Sequence, residues 1–332
     1  MSVKRQLKPG KTNPGVSVRA LAEGAMLTAL TLILAVISVY VPILNLVAIF
    51  LFPAPLALLV LRQGLKYGCI GAVSVFLLSA MLMGLPQALF LFISYGFLGL
   101  FFGWCFRNHK KALFTLLIGV LISFLATILL LQVSTIIGVS MEQLREAAAT
   151  IYRDYEHMAE QQGVASILGD MSVEEAVEFA IKLLPFAFFI WAMVLSFICY
   201  KLMTSLLRRL GNDIPQLPPF REWRLHPRLL WLMIIALFGS SLCERLQLGV
   251  FIQIANNLLY SVSLIFAISG LAVLLWILWR FKIHMFIRVL AVFFSIQLFS
   301  GFLLIIAGVF DPLFNFRELL ENYANKSKQI NL

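Results

Sequence analysis

Residues 139–181 read VSMEQLREAAATIYRDYEHMAEQQGVASILGDMSVEEAVEFAI, the one long polar interval in an otherwise apolar chain. Its acids are Glu142, Glu146, Asp154, Glu156, Glu160, Asp170, Glu174, Glu175 and Glu178, against only Arg145 and Arg153. Long charge-free runs precede and follow it. Positive charge in a polytopic protein gathers on cytoplasmic loops, so a loop this poor in Lys and Arg belongs on the outer face. That assignment sets the direction of every neighbouring span.

Working outward, 61% of the 332 residues are hydrophobic and 13% charged, with a mean hydropathy of +0.94. Soluble globules are about 45–50% apolar. The fold class is therefore all-α integral membrane, a polytopic bundle with room for about nine spans of roughly 20 residues each. No soluble catalytic domain fits in the remainder. The net charge of +10 lies beside span ends: Lys4, Arg5, Lys8, Lys11 and Arg19; Arg62 and Lys66; Arg107, Lys110 and Lys111; Lys201, Arg208, Arg209, Arg221, Arg224 and Arg228; Arg280, Lys282 and Arg288. These clusters occupy alternate loops, which makes the lipid bilayer the expected partner and excludes nucleic acid. The reading is a multi-pass protein of the bacterial plasma membrane with its N-terminus in the cytoplasm.

Chemistry-bearing patterns are absent. Cys69, Cys105, Cys199 and Cys243 stand singly in apolar runs, and His109, His157, His226 and His284 are scattered. Neither set has metal, disulfide or triad spacing. Gly10-Lys11-Thr12 ends like a phosphate-binding loop, but Arg5 stands where the first glycine is needed. No catalytic residue, metal or cofactor is expected.

Residues 1–19 form a basic cytoplasmic tail, and span 1 runs from about Ala20 to Tyr40; without a cleavage site it is retained. Pro42 and Asn45 mark the outer turn. Span 2 continues to Leu61, kinked at Pro53 and Pro55, which lack backbone donors. Tyr67–Phe106 holds two spans turned at Gly84-Leu85-Pro86. Span 5 lies in Ala112–Met141 and leads into the external acidic segment 139–181. There Leu144, Ala148, Ile151, Tyr155 and Met158 recur at helical spacing, an apolar stripe on a charged helix. Ser172-Val173-Glu174-Glu175 has capping-box spacing and starts a second helix. Span 6 covers Leu183–Tyr200 and completes a six-helix domain, 20–210. A Pro-rich cytoplasmic linker, 211–228, joins it to a three-helix extension, 229–310. Span 7 is short, Leu229–Cys243; it becomes a full span if it extends past a mutually paired Glu244 and Arg245, and leaves eight spans in all if re-entrant. Spans 8 and 9 lie in Leu246–Trp279 and Val289–Phe310, which puts a polar tail, 311–332, outside.

Neutral polar residues inside or beside the spans are the candidate ligand contacts: Asn45, Gln87, Tyr95 and Gln132. Each could equally tie two helices together. Glu23, the acid opening span 1, sits four residues after Arg19, giving either an interfacial ion pair or a coupling site. Small residues run at helical spacing along span 1 (Ala20, Gly24, Ala25, Thr28, Ala29) and span 4 (Gly99, Gly103), for packing within the bundle or against a partner subunit.

The opening Arg19–Leu30, RALAEGAMLTAL, and the closing Phe310–Arg317, FDPLFNFR, together with the span order, resemble the YybS-like family of Firmicute membrane proteins. That resemblance carries no activity with it. The first six spans are also similar to the S component of energy-coupling-factor vitamin transporters. This implies Ala25 and Ala29 as contacts to a transmembrane coupling subunit served by an ATPase, with Asn45 and the external segment near a small-molecule ligand.

Two functions are compatible with these residues. One is binding and translocation of a small solute without ATP hydrolysis by this chain, which requires Asn45, Gln87 and Gln132 to converge on an outward-open cavity. The other is a structural or regulatory role, in which those residues are scattered or satisfied and Ile151, Tyr155 and Met158 form an exposed docking stripe for an envelope or signalling partner.

Overall fold

The computed structural model describes residues 18–136, 138, 140–163, 169, 171–297, 301–314 and 317. In chain order the helices are α1 (Val18–Tyr40), α2 (Pro42–Leu51), α3 (Pro53–Gln63), α4 (Leu65–Met83), α5 (Leu85–Leu91), a π turn (Phe92–Gly96), α6 (Phe97–Arg107) and α7 (Ala112–Ile136). They continue with α8 (Met141–Gln161), α9 (Val173–Lys182), α10 (Leu184–Arg209), a 3₁₀ turn (Phe220–Glu222), α11 (Leu229–Arg245), α12 (Val250–Arg280), α13 (Met285–Gln297) and α14 (Phe302–Phe314). Among the described residues, seven helical stretches are long and apolar enough to cross a membrane: 20–40, 42–63, 65–83, 85–107, 112–136, 184–209 and 250–280. The chain is an all-helical polytopic membrane bundle.

By internal contacts it divides into two units: 1–133 with 193–215, and 134–192 with 216–332. The boundaries fall inside α7 and α10, not at the Pro-rich linker alone.

In the first unit span 2 is one helical stretch, 42–63, that the prolines divide into α2 and α3. At the junction Phe52 keeps helical backbone angles and its N–H reaches Ala48 O at 2.9 Å, and Pro53 takes the first position of α3, where no donor is needed. All of Pro53–Val60 is then buried. Gly99 and Gly103 of α6 lie against it: a Cβ on either would come within 2.7 Å of Pro53 O or Ala57 O. These glycines therefore let two backbones touch inside the bundle. Gly84, at φ +87°, makes the turn between α4 and α5 that its sequence position predicts.

In the second unit α11 and α12 pack through Met233, Ala236, Val262 and Phe266, joined by Ile305 and Val309 of α14. The tightest approach is α12 on α14. A Cβ on Gly270 would lie 1.8 Å from Leu304 O, and one on Gly308 would lie 1.9 Å from Phe266 O.

Three expectations change here. A single span 9 is replaced by α13 and α14, each 13 residues and so about 20 Å long, short of a hydrocarbon core of about 30 Å. Their direction follows from fixed points. Gly308 meets Gly270; nine residues further along each helix path, Arg317 donates to Arg221 O at 2.7 Å while the Arg221 guanidinium lies 4.1 Å over Trp279. Hence α14 runs parallel to α12, and α13–α14 is a hairpin that returns to the side on which α12 ends. Secondly, the chain at residue 317 stands beside the linker and not across the bilayer from it, and the start of the predicted polar tail is core: Asp311 and Arg317 are buried. Thirdly, α11 extends through Glu244 and Arg245, but Glu244 accepts from Asn256 Nδ2 at 3.4 Å.

Candidate functional site

The four predicted ligand contacts stand on four different elements. Asn45, on α2, donates to the Ser38 carbonyl in the last turn of α1 and so fastens the turn between the two helices. Gln87 is half-buried on α5, and Gln132 is exposed near the end of α7. Tyr95 lies in the π turn, only 1% exposed, with the Phe52 and Phe90 rings at 6.4 and 6.1 Å. A cavity does occur between α3, α4 and the π turn, lined by Phe52, Leu56, Val75, Ser79, Phe92 and Gly96 among others. Its volume is about 10 Å³, room for one water at most. None of the four predicted contacts lines it. Ser79 Oγ, on its wall, bonds no protein group. π turns recur at functional sites, yet here aromatic rings fill the space around one.

The charged end of span 1 is tied to the end of α3. Glu23 accepts from Arg62 at the end of α3. The side chain of Arg19 lies outside the described residues. Gln63 Nε2 adds a bond to Ala20 O at 2.7 Å. Gly24 packs near Gln63 and Leu59, and Thr28 lies against Gly71. Ala25 and Ala29 face outward.

Polar residues of the second unit tie helices together. Asn257 spans the break between α9 and α10: its Oδ1 accepts from Phe186 N at 3.0 Å, and its Nδ2 donates to Lys182 O at 2.8 Å. Leu183 is the break and Pro185 lies in the first turn of α10, where Asn257 supplies partners for groups at the helix ends. Ser240 donates to Asn256 Oδ1 across α11 and α12.

Among the described residues, the charged helix α8 presents an uncovered apolar face. Ser140 caps it, accepting from Gln143 N at 3.2 Å while Gln143 Oε1 accepts from Ser140 N at 3.1 Å; Ser172 and Glu175 do the same for α9. Arg145 reaches Glu178 at 3.2 Å and Arg153 reaches Glu174 at 3.6 Å, so α9 takes the charged side of α8. The apolar stripe is thereby left uncovered. None of the 21 residues of α8 is buried, and Ile151, Tyr155 and Met158 are 55%, 56% and 53% exposed. Surface ion pairs of this kind contribute about 0–1 kcal/mol each, so they orient the pair more than they stabilise it.

Sequence reasoning missed the Arg317 clamp. Arg317 is 1% exposed, pairs with Asp311 at 3.5 Å, and donates to Arg221 O and to Trp223 O, the latter at 2.9 Å. Both residues lie in the FDPLFNFR stretch, but their carbonyl partners are almost a hundred positions away, beyond any local signal. Among the described residues no group of three His, Cys, Asp or Glu could hold a metal ion.

A helical, charge-poor bundle with one acidic helical pair is the class of an integral membrane protein. The chain belongs to the family described as predicted membrane protein (DUF2232), whose model matches residues 29–312. It is 30% identical over 255 residues to the uncharacterized protein YybS of Bacillus subtilis, covering 74% of this chain and 77% of that one. No solved structure matches it.

Proposed function

We propose that this protein is a membrane-embedded docking protein whose acidic helix α8 binds an envelope partner through its apolar stripe. The observation that carries this is the exposure of Ile151, Tyr155 and Met158 on a helix too charged to be covered by hydrocarbon. Exposed apolar stripes rimmed by polar residues mark interaction surfaces. The partner chemistry follows from the rim. Both arginines of α8 are engaged by glutamates, while Glu146, Asp154 and Glu160 stand outside those pairs, so the complementary surface is a basic protein segment with an apolar face. Solute translocation has less support, because neither the cavity beside the π turn nor the groove between α4, α6 and α7 is lined by Asn45, Gln87, Tyr95 or Gln132. The multi-pass anchor would then serve to hold α8 and α9 at the outer surface.

The test is cysteine accessibility in intact cells, in a chain with Cys69 and Cys243 replaced by serine. Tyr155→Cys should resist a membrane-impermeant maleimide in cells and react once the protein is purified, while Glu160→Cys reacts in both. Equal labelling of the two in intact cells would remove the docking reading. An unreactive Glu160→Cys in cells would place the acidic helices on the inner side.

A further inference from the structure

We propose that a groove on the first unit, between α4, α6 and α7, binds one anionic phospholipid. The acyl chain lies in the groove and the phosphate sits at the end that carries Lys66 and Lys110. The groove is largely open and offers about 400 Å³, a volume within the usual range of ligand sites, about 300–1,000 Å³. Leu65 and Cys69 of α4, Leu100, Phe101 and Trp104 of α6, and Ile122 of α7 form its walls, so no polar side chain awaits a soluble ligand there. It opens on helices with no charged residue between Tyr67 and Phe106 or between Ala112 and Met141, a face turned to hydrocarbon.

One end is different. Leu65 is in the first turn of α4 and Trp104 in the last of α6, so both belong to the same end of the groove. The ammonium of Lys110 lies 5.6 Å over the Trp104 ring, and Lys66 follows Leu65 directly. Phe101 and Trp104 stack at 6.3 Å beneath that charge. Of the other cations in that loop, Arg107 is committed to the carbonyls of Val60 and Leu61 at 3.3 Å each, and Lys111 directly precedes α7. Lys66 and Lys110 are exposed, and neither forms an ion pair among the described residues. No acid occurs between Glu23 and Glu142, so nothing in this stretch of sequence competes for them. An apolar slot ending in two unpaired ammonium groups at the bilayer surface matches a lipid with a net negative headgroup better than a zwitterionic one.

Native mass spectrometry of the full chain in detergent, with equal phosphatidylglycerol and phosphatidylcholine, tests the assignment. A cation near the surface strengthens anionic lipid binding by about fivefold, so the wild type should retain phosphatidylglycerol by about 30-fold over phosphatidylcholine. K66Q/K110Q should bring that ratio close to one with an unchanged unfolding temperature. Cys69→Trp, which fills the groove, should lower retention of both lipids. Cys69 also reports without substitution at the site: in a Cys243→Ser chain its maleimide labelling should slow with phosphatidylglycerol and not with phosphatidylcholine. Equal retention of the two lipids by the wild type would overturn the proposal. So would a preference that survives K66Q/K110Q, or full retention by Cys69→Trp.

Discussion

Leu117, Leu121 and Leu125 on α7 are 59%, 50% and 55% exposed, and Ile151, Tyr155 and Met158 on α8 are 55%, 56% and 53% exposed. The apolar surface shown is nearly the same, and both sets recur along one face of a helix. The meaning differs because of their neighbours. No charged residue occurs from Ala112 to Ile136, so lipid covers α7; α8 carries Glu142, Arg145, Glu146, Arg153, Asp154, Glu156 and Glu160 and stands in water. Exposure therefore calls for an explanation only where the solvent is aqueous. A third treatment of apolar surface appears at α12 and α14, where backbone meets backbone at Gly270 and Gly308.

Substitutions can break or sharpen this contrast. The largest effect belongs to the fully enclosed region. Arg317→Met leaves the Asp311 carboxylate buried without its cation and should cost about 3–5 kcal/mol, read from thermal unfolding in detergent. Replacing both residues by leucine should recover much of that loss. Next comes the contrast itself. Leu121→Asp on α7 puts a charge into hydrocarbon at about 3 kcal/mol, visible as poor membrane integration; Ile151→Asp on α8 should change stability by less than about 0.5 kcal/mol. If the two behave alike, α8 is not in water.

Smaller effects separate a packed glycine from an idle one. Gly270→Ala drives a methyl into the Leu304 carbonyl and should cost about 1–3 kcal/mol in unfolding experiments, or more if the helices cannot separate. On α11 a Cβ at Gly239 meets nothing within 4 Å. Gly239→Ala should stabilise the chain by about 0.5–1 kcal/mol, since alanine holds a helix better than glycine.

What was legible in the sequence follows from the same distinction. Charge spacing announced the membrane class, the helical spans and the acidic interval, because each is a local run. Gly84 and the Ser172–Glu175 cap were legible too, since turns and caps are written within four residues. The Ser140–Gln143 cap carries the equivalent Ser-x-x-Gln signature, glutamine in place of glutamate, and could have been read. The α13–α14 hairpin could not: an apolar run from Val289 to Phe310 looks like one span, and only the pairing of Gly308 with Gly270 together with the reach of Arg317 to Arg221 reveals the return. Glycine spacing in spans 1 and 4 showed that close approach occurs but not with what; Gly99 and Gly103 proved to face α3. Asn45, Gln87, Tyr95 and Gln132 were chosen by polarity and depth, and depth along the bilayer says nothing of which helix face each occupies.

A docking role requires α8 to be covered by protein in the cell. The direct measurement is photo-crosslinking from p-benzoylphenylalanine placed at Tyr155, with the adducts weighed. A discrete protein adduct, absent when Ile151 and Met158 are also changed to serine and absent from the same probe at Glu160, is the predicted result. Adducts of phospholipid mass alone, or the same products from Tyr155 and Glu160, would contradict it.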